Sequence, residues 1–170
     1  MVPTSSHAFH YAIAIGSNRC GRHGRPVAEV AAAIAALAGV VAVSPVVASA
    51  PIGPSIRRYA NAVVLIESVD QPPVVLDRLK AIERAFGRRR GQRWSARVID
   101  LDIVLWSGGP WCAPGLTIPH IAFRARDFVL GPLLGVAPDW RDPLSGLTVR
   151  QLRARLRRGL PRVDQADTRP

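Results

Sequence analysis

The sequence predicts an α+β fold with a ferredoxin-like βαββαβ core, an antiparallel sheet with helices packed on one face, and extra C-terminal helices. Two observations predict this class. Apolar, β-branched runs and stretches of helical periodicity follow one another in the order strand, helix, strand, strand, helix, strand. A chain of 170 residues is also the size of one domain and can bury a substantial core.

The first half of the chain contains the first predicted helix and two strands. Residues 9–15 form an apolar run that ends in a Gly-Ser-Asn turn. The helix is predicted to begin at Pro26, since apolar residues recur at helical spacing from there until Gly39. Residues 40–50 are rich in Val but contain Pro45, which favours an edge strand with a bulge.

The second half repeats this alternation. Residues 59–68 are the third apolar run, and Asp70 is expected to cap a helix from about residue 72 to 86 that Gly87 ends. Residues 98–106 are the last strand of the core. A Gly- and Pro-rich loop at residues 107–115 is then followed by two predicted helices, at residues 126–136 and 149–158.

One domain, residues 9–160, is expected between a disordered leader, residues 1–8, and a flexible tail, residues 161–170. No secretory signal is visible, and the longest apolar run is too short to span a membrane. The two cysteines, Cys20 and Cys112, are far apart and suggest neither a zinc site nor a disulfide framework. These features favour a cytoplasmic protein.

The last predicted strand carries two carboxylates. Because side chains alternate along a strand, Asp100 and Asp102 share one face, while the apolar residues between and beside them share the other. The carboxylates lie roughly 7 Å apart along the strand. Unpaired, they would cost several kcal/mol in a core, so the site requires a counter-ion. Either an arginine network or Mg²⁺ fits this requirement.

An arginine cluster precedes these carboxylates and comprises Arg88, Arg89, Arg90, Arg93 and Arg97. Guanidinium groups suit bidentate contacts with phosphate, so carboxylates for Mg²⁺ beside them are typical of phosphoryl transfer from a nucleotide. The formal net charge of +11 is less informative, since Lys80 is the only lysine and a genome biased toward Arg codons would also produce it. Only the central cluster is therefore given functional weight.

The run R-W-S-A-R-V-I-D-L-D-I at residues 93–103 resembles the signature of 6-hydroxymethyl-7,8-dihydropterin pyrophosphokinases, close to R-W-G-P-R-T-L-D-L-D-I. Five other segments match this family in the same order: A-I-G-S-N at 14–18, P-I-G-P at 51–54, Y-A-N-A at 59–62, L-T-I-P-H at 116–120 and R-D-F-V-L at 126–130. Six ordered segments are much more specific than one motif. The resemblance covers nearly the whole chain.

The resemblance implies an enzyme of folate biosynthesis that moves the β,γ-pyrophosphoryl group of ATP to the hydroxymethyl oxygen of the pterin and releases AMP. Two Mg²⁺ ions and ATP as co-substrate are implied. The implied partners are small molecules only, with no nucleic acid and no membrane, and the implied state is a monomer. The resemblance also implies the ferredoxin-like fold.

Residue roles are implied by matching positions. The metal ligands are Asp100 and Asp102, and with Arg88 and Arg90 they form the catalytic set. The residues implied in nucleotide binding are Lys80, Glu83, Arg88, Arg90, Arg93, Trp94, Arg97, Ile103, His120 and Arg126. Those implied in pterin binding are Ser49, Ala50, Ile52, Tyr59, Asn61, Trp94, Asp100 and Phe128. Tyr59 and Phe128 would sandwich the ring while Asn61 reads its edge, and residues 87–94 would form a lid.

Ordinary structural roles remain open for four of these residues. Without the resemblance, Asn61 would be expected to bond neighbouring backbone, and His120 to be structural. Lys80 and Glu83 are three residues apart on a helix, so a surface ion pair is the default interpretation. Lys80 also stands where the family usually has Gln.

Further departures from the family pattern lie elsewhere. Ile121 replaces an aromatic residue, Ser95 and Ala96 replace Gly-Pro, and the Arg loop is about one residue shorter. A non-catalytic RNA-binding module of the same fold is the alternative, favoured by the positive charge. The strands, however, lack the aromatic platform of such modules, and the alternative leaves Asp100 and Asp102 unexplained.

Overall fold

The structure is a computed structural model that describes residues 8–50, 57–87 and 98–159. The strands are β1 (Phe9–Ser17), β2 (Val40–Val43), β3 (Val47–Ser49), β4 (Tyr59–Ser68), β5 (Asp100–Trp106), β6 (Trp111–Ala113) and β7 (Leu116–Ile118). The helices are α1 (Pro26–Ala35), α2 (Pro72–Ala85), α3 (Asp127–Val136) and α4 (Val149–Gly159), with a 3₁₀ turn at Phe123–Ala125. The predicted leader, except its last residue, and the predicted tail lie outside these ranges.

Strand β1 is central in the main sheet. It pairs antiparallel with β4 on one side and β5 on the other, giving the order β2-β4-β1-β5, while β3 also pairs with β4. Its position explains its composition, because a strand with neighbours on both sides and helices above and below must be apolar. The predicted α+β class and the βαββαβ order of the core are confirmed.

The predicted edge strand at residues 40–50 is divided into β2 and β3. Both pair with β4, and the ladder is broken around Pro45, which has no N–H to donate. Ser44 fastens the break, since its N–H donates to the carbonyl of Val63 and its Oγ accepts from the Val63 N–H, both at 2.9 Å. The predicted irregularity is therefore a full interruption of the strand.

Helices cover both faces of the sheet, where the sequence predicted one. Helices α1 and α2 pack on the first face, against Ile13 and Leu101. Helices α3 and α4 pack on the second face, against Ala12, Val63 and Leu105. The difference follows from the strands themselves, because they carry apolar residues such as Ala12, Val63 and Leu105 on the second face and the two added helices bury them.

Two local predictions need correction. Asp70 does not cap α2, because Gln71 is the residue before the first helical position and makes no side-chain cap. The Asp70 carboxylate instead accepts a hydrogen bond from Ser68 Oγ at 2.9 Å and pairs with Arg78 at 2.6 Å. Within the predicted loop at residues 107–115, β6 forms a hairpin with β7, and Trp111 packs edge-on against Trp106 at 5.6 Å.

The remaining helices lie close to their predicted bounds. Helix α1 begins at Pro26, as predicted, and α3 and α4 each differ by one residue from prediction at one end. Within the described ranges, no helix has the length and apolar character needed to cross a membrane.

Candidate active site

The carboxylates of Asp100 and Asp102 lie on the second face of the sheet, at the start of β5. Both residues are half-buried, whereas Leu101 and Ile103 between and after them are buried on the first face. Burial, and then the neighbouring charge of Asp100, raise the pKa of the Asp102 carboxyl above its ordinary value. The pair is therefore a concentration of negative charge that favours a cation.

His120 approaches this pair from the turn after β7. Its backbone N–H donates to the carbonyl of Val104 at 3.0 Å, which ties the turn to β5. Its Nδ1 accepts a hydrogen bond from the N–H of Ala122 at 3.2 Å, so the neutral ring carries its proton on Nε2. That nitrogen is 3.9 Å from Oδ2 of Asp102. The ring is thus oriented with a donor toward the carboxylate.

Among the described residues, the positive charges near Asp102 do not offset its burial and its repulsion by Asp100. His120, Lys80 and Arg126 each lower the pKa of Asp102, yet burial and Asp100 outweigh them. In the part of the chain that the structure describes, no three His, Cys, Asp or Glu side chains are grouped so as to hold a metal. Two carboxylates on one face of a strand suit Mg²⁺, which commonly takes its other ligands from water and phosphate.

A glycine separates Asp100 from Asn61. Gly16 of β1 pairs with Asn61 on β4 and with Asp100 on β5, so the three residues form one row across the sheet. A Cβ built on Gly16 would lie 3.4 Å from Asn61 Oδ1 and, among the described residues outside its immediate chain neighbours, within 4 Å of no other atom. In the described part of the chain, the row therefore has an open floor, about 10 Å across two strand spacings.

Asn61 is 5% exposed, and its amide is oriented by a side chain. Its Nδ2 donates to Oγ of Ser49 at 2.9 Å. This partner is a side chain, whereas the ordinary expectation was a hydrogen bond between Asn61 and neighbouring backbone. With Nδ2 held by Ser49, the acceptor Oδ1 faces the floor above Gly16.

The two aromatic residues expected around the pterin both belong to this face. Tyr59 lies two residues before Asn61 on β4, so their side chains point the same way. Phe128 is half-buried in the first turn of α3, which packs on this face. The guanidinium of Arg126 lies 5.8 Å from the centre of the Phe128 ring. The fold thus places Tyr59, Asn61, Phe128 and Arg126 on the carboxylate face.

Lys80 and Glu83 form the expected ion pair, but its predicted surface location is wrong, because the Glu83 side chain is buried. Glu83 is fully buried, and its Oε1 accepts hydrogen bonds from Lys80 Nζ at 2.8 Å and from the N–H of Leu101 at 2.9 Å. Ile103 is also buried, with its side chain in the core under the first face. A nucleotide contact at Ile103 would therefore involve its backbone groups and not its side chain.

The structure leaves part of the predicted site outside its described ranges. Ser49 is the last residue of β3, and Ala50 follows it exposed. The predicted residues that lie outside the ranges are Ile52, Arg88, Arg90, Arg93, Trp94 and Arg97. Ile121, where the family pattern has an aromatic residue, is 83% exposed. Gly16 was missed at the level of sequence, because residues 16–18 were predicted to form a turn, whereas β1 continues through Gly16 to Ser17.

Comparison with known proteins identifies the family. A model of 7,8-dihydro-6-hydroxymethylpterin-pyrophosphokinase (HPPK) matches residues 12–138. A protein of Pseudomonas aeruginosa named 2-amino-4-hydroxy-6-hydroxymethyldihydropteridine pyrophosphokinase is 39% identical over 137 residues, which are 77% of this chain and 82% of that protein. A protein of the same name from Synechocystis is 43% identical over 100 residues, 59% of this chain and about half, 51%, of that protein.

A solved structure supports the fold. Wild-type HPPK-DHPS of Plasmodium falciparum aligns with a TM-score of 0.68 at 13% identity, over 90% of this chain and 42% of that one. At that identity the likeness concerns the fold alone. The family match, by contrast, covers most of the sequence and includes the strand with the two carboxylates. This chain belongs to the 7,8-dihydro-6-hydroxymethylpterin-pyrophosphokinase family.

Proposed function

We propose that this chain transfers the β,γ-pyrophosphoryl group of ATP to the hydroxymethyl oxygen of 6-hydroxymethyl-7,8-dihydropterin, giving the pterin diphosphate and AMP in folate biosynthesis. The family uses ATP as co-substrate, and the relatives carry the name of this reaction. The observation that carries the proposal is the single row of Asn61, Gly16 and Asp100. It supports the proposal because Asn61, which would read the heterocycle, and Asp100, which would bind the metal, lie at opposite ends of this row.

The pterin would lie on this floor. Its amino and lactam groups need an acceptor and a donor, and a buried Asn supplies both. Oδ1 of Asn61 faces the floor, and Ser49 fixes the amide in that orientation. Tyr59 on β4 and Phe128 on α3 would contact the two faces of the ring, since flat aromatic side chains stack favourably on heterocycles. The residues at 50–52 would complete the edge with backbone groups.

The carboxylates would hold Mg²⁺, and we propose two ions, as the family resemblance implies. Asp100 and Asp102 fit the group because both are hard oxygen donors on one half-buried face, and burial with the neighbouring Asp100 charge raises the pKa of Asp102, which a bound cation would offset. When bound, Mg²⁺ lowers the pKa of the attacking hydroxyl and neutralises phosphate charge. The coordination shell would be completed by phosphate and water.

The cationic residues would bind the triphosphate. His120 presents Nε2 beside Asp102, and Arg126 lies above the Phe128 ring, so both can reach phosphate oxygens placed near the carboxylates. Arg88, Arg90, Arg93 and Arg97 are proposed for the same role from the family pattern. Phosphoryl transfer depends mainly on positioning and charge stabilisation, so no protein nucleophile is required.

The decisive experiment measures AMP formation from ATP at fixed Mg²⁺, with and without the pterin. One AMP per pterin diphosphate, strictly dependent on the pterin, is expected. The proposal would be refuted by formation of ADP in place of AMP, or by AMP formation that does not depend on the pterin. The alternative of an RNA-binding module finds no support in the family match.

The remaining parts of the proposal concern organisation and location. We propose a single catalytic domain at residues 9–160 that acts as a monomer in the cytoplasm on small molecules, without nucleic acid or membrane. Sedimentation equilibrium over a wide concentration range should give a mass near 18.4 kDa. A larger mass would contradict the monomer.

A further inference from the structure

The peptide between the two carboxylates is held from outside the sheet. Strand β5 is the last strand of the order β2-β4-β1-β5, so within the described ranges no strand pairs with the backbone groups on its outer edge. At Leu101 those groups are met by side chains of α2. The N–H donates to Glu83 Oε1 at 2.9 Å, and the carbonyl oxygen is 3.5 Å from Lys80 Nζ. At Leu101, the side chains of Lys80 and Glu83 thus make the backbone contacts that a neighbouring strand would otherwise make.

The burial of Glu83 shows that this contact is more than incidental. Its side chain is fully buried, so in this conformation it cannot touch a bound nucleotide. Burying a carboxylate is unfavourable unless it is paired and hydrogen-bonded, and both requirements are met here by Lys80 Nζ and the Leu101 N–H. Elsewhere on α2, Asp77 and Arg78 remain exposed, so burial of charge is concentrated at the site of contact with Leu101.

Leu101 is the residue whose orientation controls both carboxylates. Asp100 precedes it and Asp102 follows it, so a rotation of its peptide groups would turn the two carboxylates relative to each other. The opposite edge of Leu101 is already fixed by its register with Ile15 of β1. Together, β1 and α2 hold this residue from both sides.

We propose that Lys80 and Glu83 are positioning residues that hold the Leu101 peptide groups and thereby fix the relative orientation of the Asp100 and Asp102 carboxylates. This differs from nucleotide binding, the role that the resemblance implied for the pair. The inference rests on the proposed function, in which these carboxylates bind the divalent cation. Where the family usually has Gln, Lys80 supplies a charge that balances buried Glu83.

The first test is Glu83→Gln, which preserves size and an acceptor oxygen but removes the charge that holds Lys80. Asp77→Asn is the matched control, because it removes an exposed carboxylate from the same helix. Binding of Mn²⁺ alone, without nucleotide, is measured by electron paramagnetic resonance. Roughly a tenfold weaker Mn²⁺ affinity is expected for Glu83→Gln, as for other groups that orient metal ligands, and no change for the control.

Amide hydrogen exchange provides a second readout that needs neither metal nor turnover. The Leu101 amide should exchange faster in Glu83→Gln than in the parent protein, while amides in β4 keep their protection. Unchanged Mn²⁺ affinity in Glu83→Gln would overturn the proposal, as would unchanged exchange at Leu101. If Glu83→Gln fails to fold, Lys80→Met takes its place with the same expected directions, because it removes both the ion pair with Glu83 and the contact with the Leu101 carbonyl.

A third measurement separates positioning from nucleotide binding. ATP affinity in EDTA should be unchanged within about twofold in Lys80→Met, and Lys80→Arg should restore Mn²⁺ affinity because it keeps a cation beside Glu83. Weaker metal-free ATP binding with normal Mn²⁺ binding would instead establish a direct nucleotide contact. Failure of the proposed function would appear separately, as absence of AMP formation in the parent protein with the metal and exchange results unaffected.

Discussion

Asn61 of β4 and Asp100 of β5 are register partners of the same residue, Gly16, which lies between them on β1. The relationship joins the two halves of the proposed reaction, pterin recognition and metal binding, through one backbone position. Gly16 does not adopt a positive φ, so its backbone conformation does not explain the lack of a side chain. The lack of a side chain is explained by the open floor between Asn61 and Asp100.

Gly16→Ala should therefore weaken pterin binding without harming the fold. The added methyl group would lie 3.4 Å from Asn61 Oδ1, where the pterin edge is proposed to bind. A lost hydrogen bond of this kind costs about 1 to 2 kcal/mol. Glycine inside a strand is itself unfavourable relative to alanine by about 0.5 to 1 kcal/mol, so thermal stability should rise slightly. Calorimetric pterin titration and thermal unfolding measure the two effects.

The opposite signs of these effects make the test specific. A purely structural glycine would lose stability on substitution, and any loss of pterin binding would then follow from damage to the fold. Gly135→Ala on α3 is a suitable control, because a Cβ there meets no atom within 4 Å. It should leave pterin affinity unchanged.

Asn61→Ala should weaken pterin binding by about 1 to 3 kcal/mol and leave ATP binding nearly unchanged, because a buried polar edge of the ligand would lose its partner. Ser49→Ala should have a smaller effect in the same direction, since it removes only the oxygen that orients the Asn61 amide. Separate titrations with pterin and with ATP measure both. Equal losses for the two ligands would indicate a structural Asn61.

The shared face of Asp100 and Asp102 was predictable because strand alternation is a local property. The environment of Glu83 was not. Its spacing from Lys80 is that of an ordinary surface pair, and its burial depends on contact with β5, which is distant in sequence. The hairpin of β6 and β7 has the same origin, since Trp111 is held by packing on Trp106.

The packing of helices on the second face of the sheet could also not be predicted from local sequence patterns. The periodicity of the last two helices predicts their existence and bounds but not the surface they bury. Ala12 and Val63 become core residues only because α3 and α4 pack over them. The same packing puts Phe128 on the face that carries Asn61, so this part of the site depends on the complete fold.

Asp100→Asn and Asp102→Asn should each reduce turnover by roughly a hundredfold or more, the scale for loss of a pre-organised charge-stabilising group. The fold should persist, because Asp102 lies in an environment where burial and Asp100 disfavour its charge, so a neutral amide relieves repulsion. Initial rates over a range of Mg²⁺ concentrations, with thermal unfolding in parallel, measure both consequences. A near-normal rate with unchanged Mg²⁺ dependence would show that the metal assignment is wrong.

The last prediction concerns acid stability and a site remote from the carboxylate pair. Asp142 is fully buried, and its two oxygens accept hydrogen bonds from Arg124 at 2.7 and 2.6 Å. Burial alone would raise its pKa, but the hydrogen bonds from Arg124, Ser145 and the Leu144 N–H outweigh it and hold the pKa of Asp142 below its ordinary value. Breaking a buried pair by removing one partner costs about 3 kcal/mol, which is the destabilisation expected for Asp142→Ala.

The sign of the pH dependence follows from the lowered pKa. Between its folded and ordinary values Asp142 binds fewer protons in the folded state, so its stabilising contribution is complete above the ordinary value of 3.8 and is lost as the pH falls through the lowered folded value. Urea unfolding of the parent protein and Asp142→Ala at a series of pH values should therefore give curves that converge in acid. Asp139→Ala, whose carboxylate is exposed and 3.5 Å from Arg150, is the control and should keep the parent's pH dependence. A constant difference between the parent and Asp142→Ala down to the lowest pH would mean that the Asp142 carboxylate stabilises the fold by packing and not through its charge.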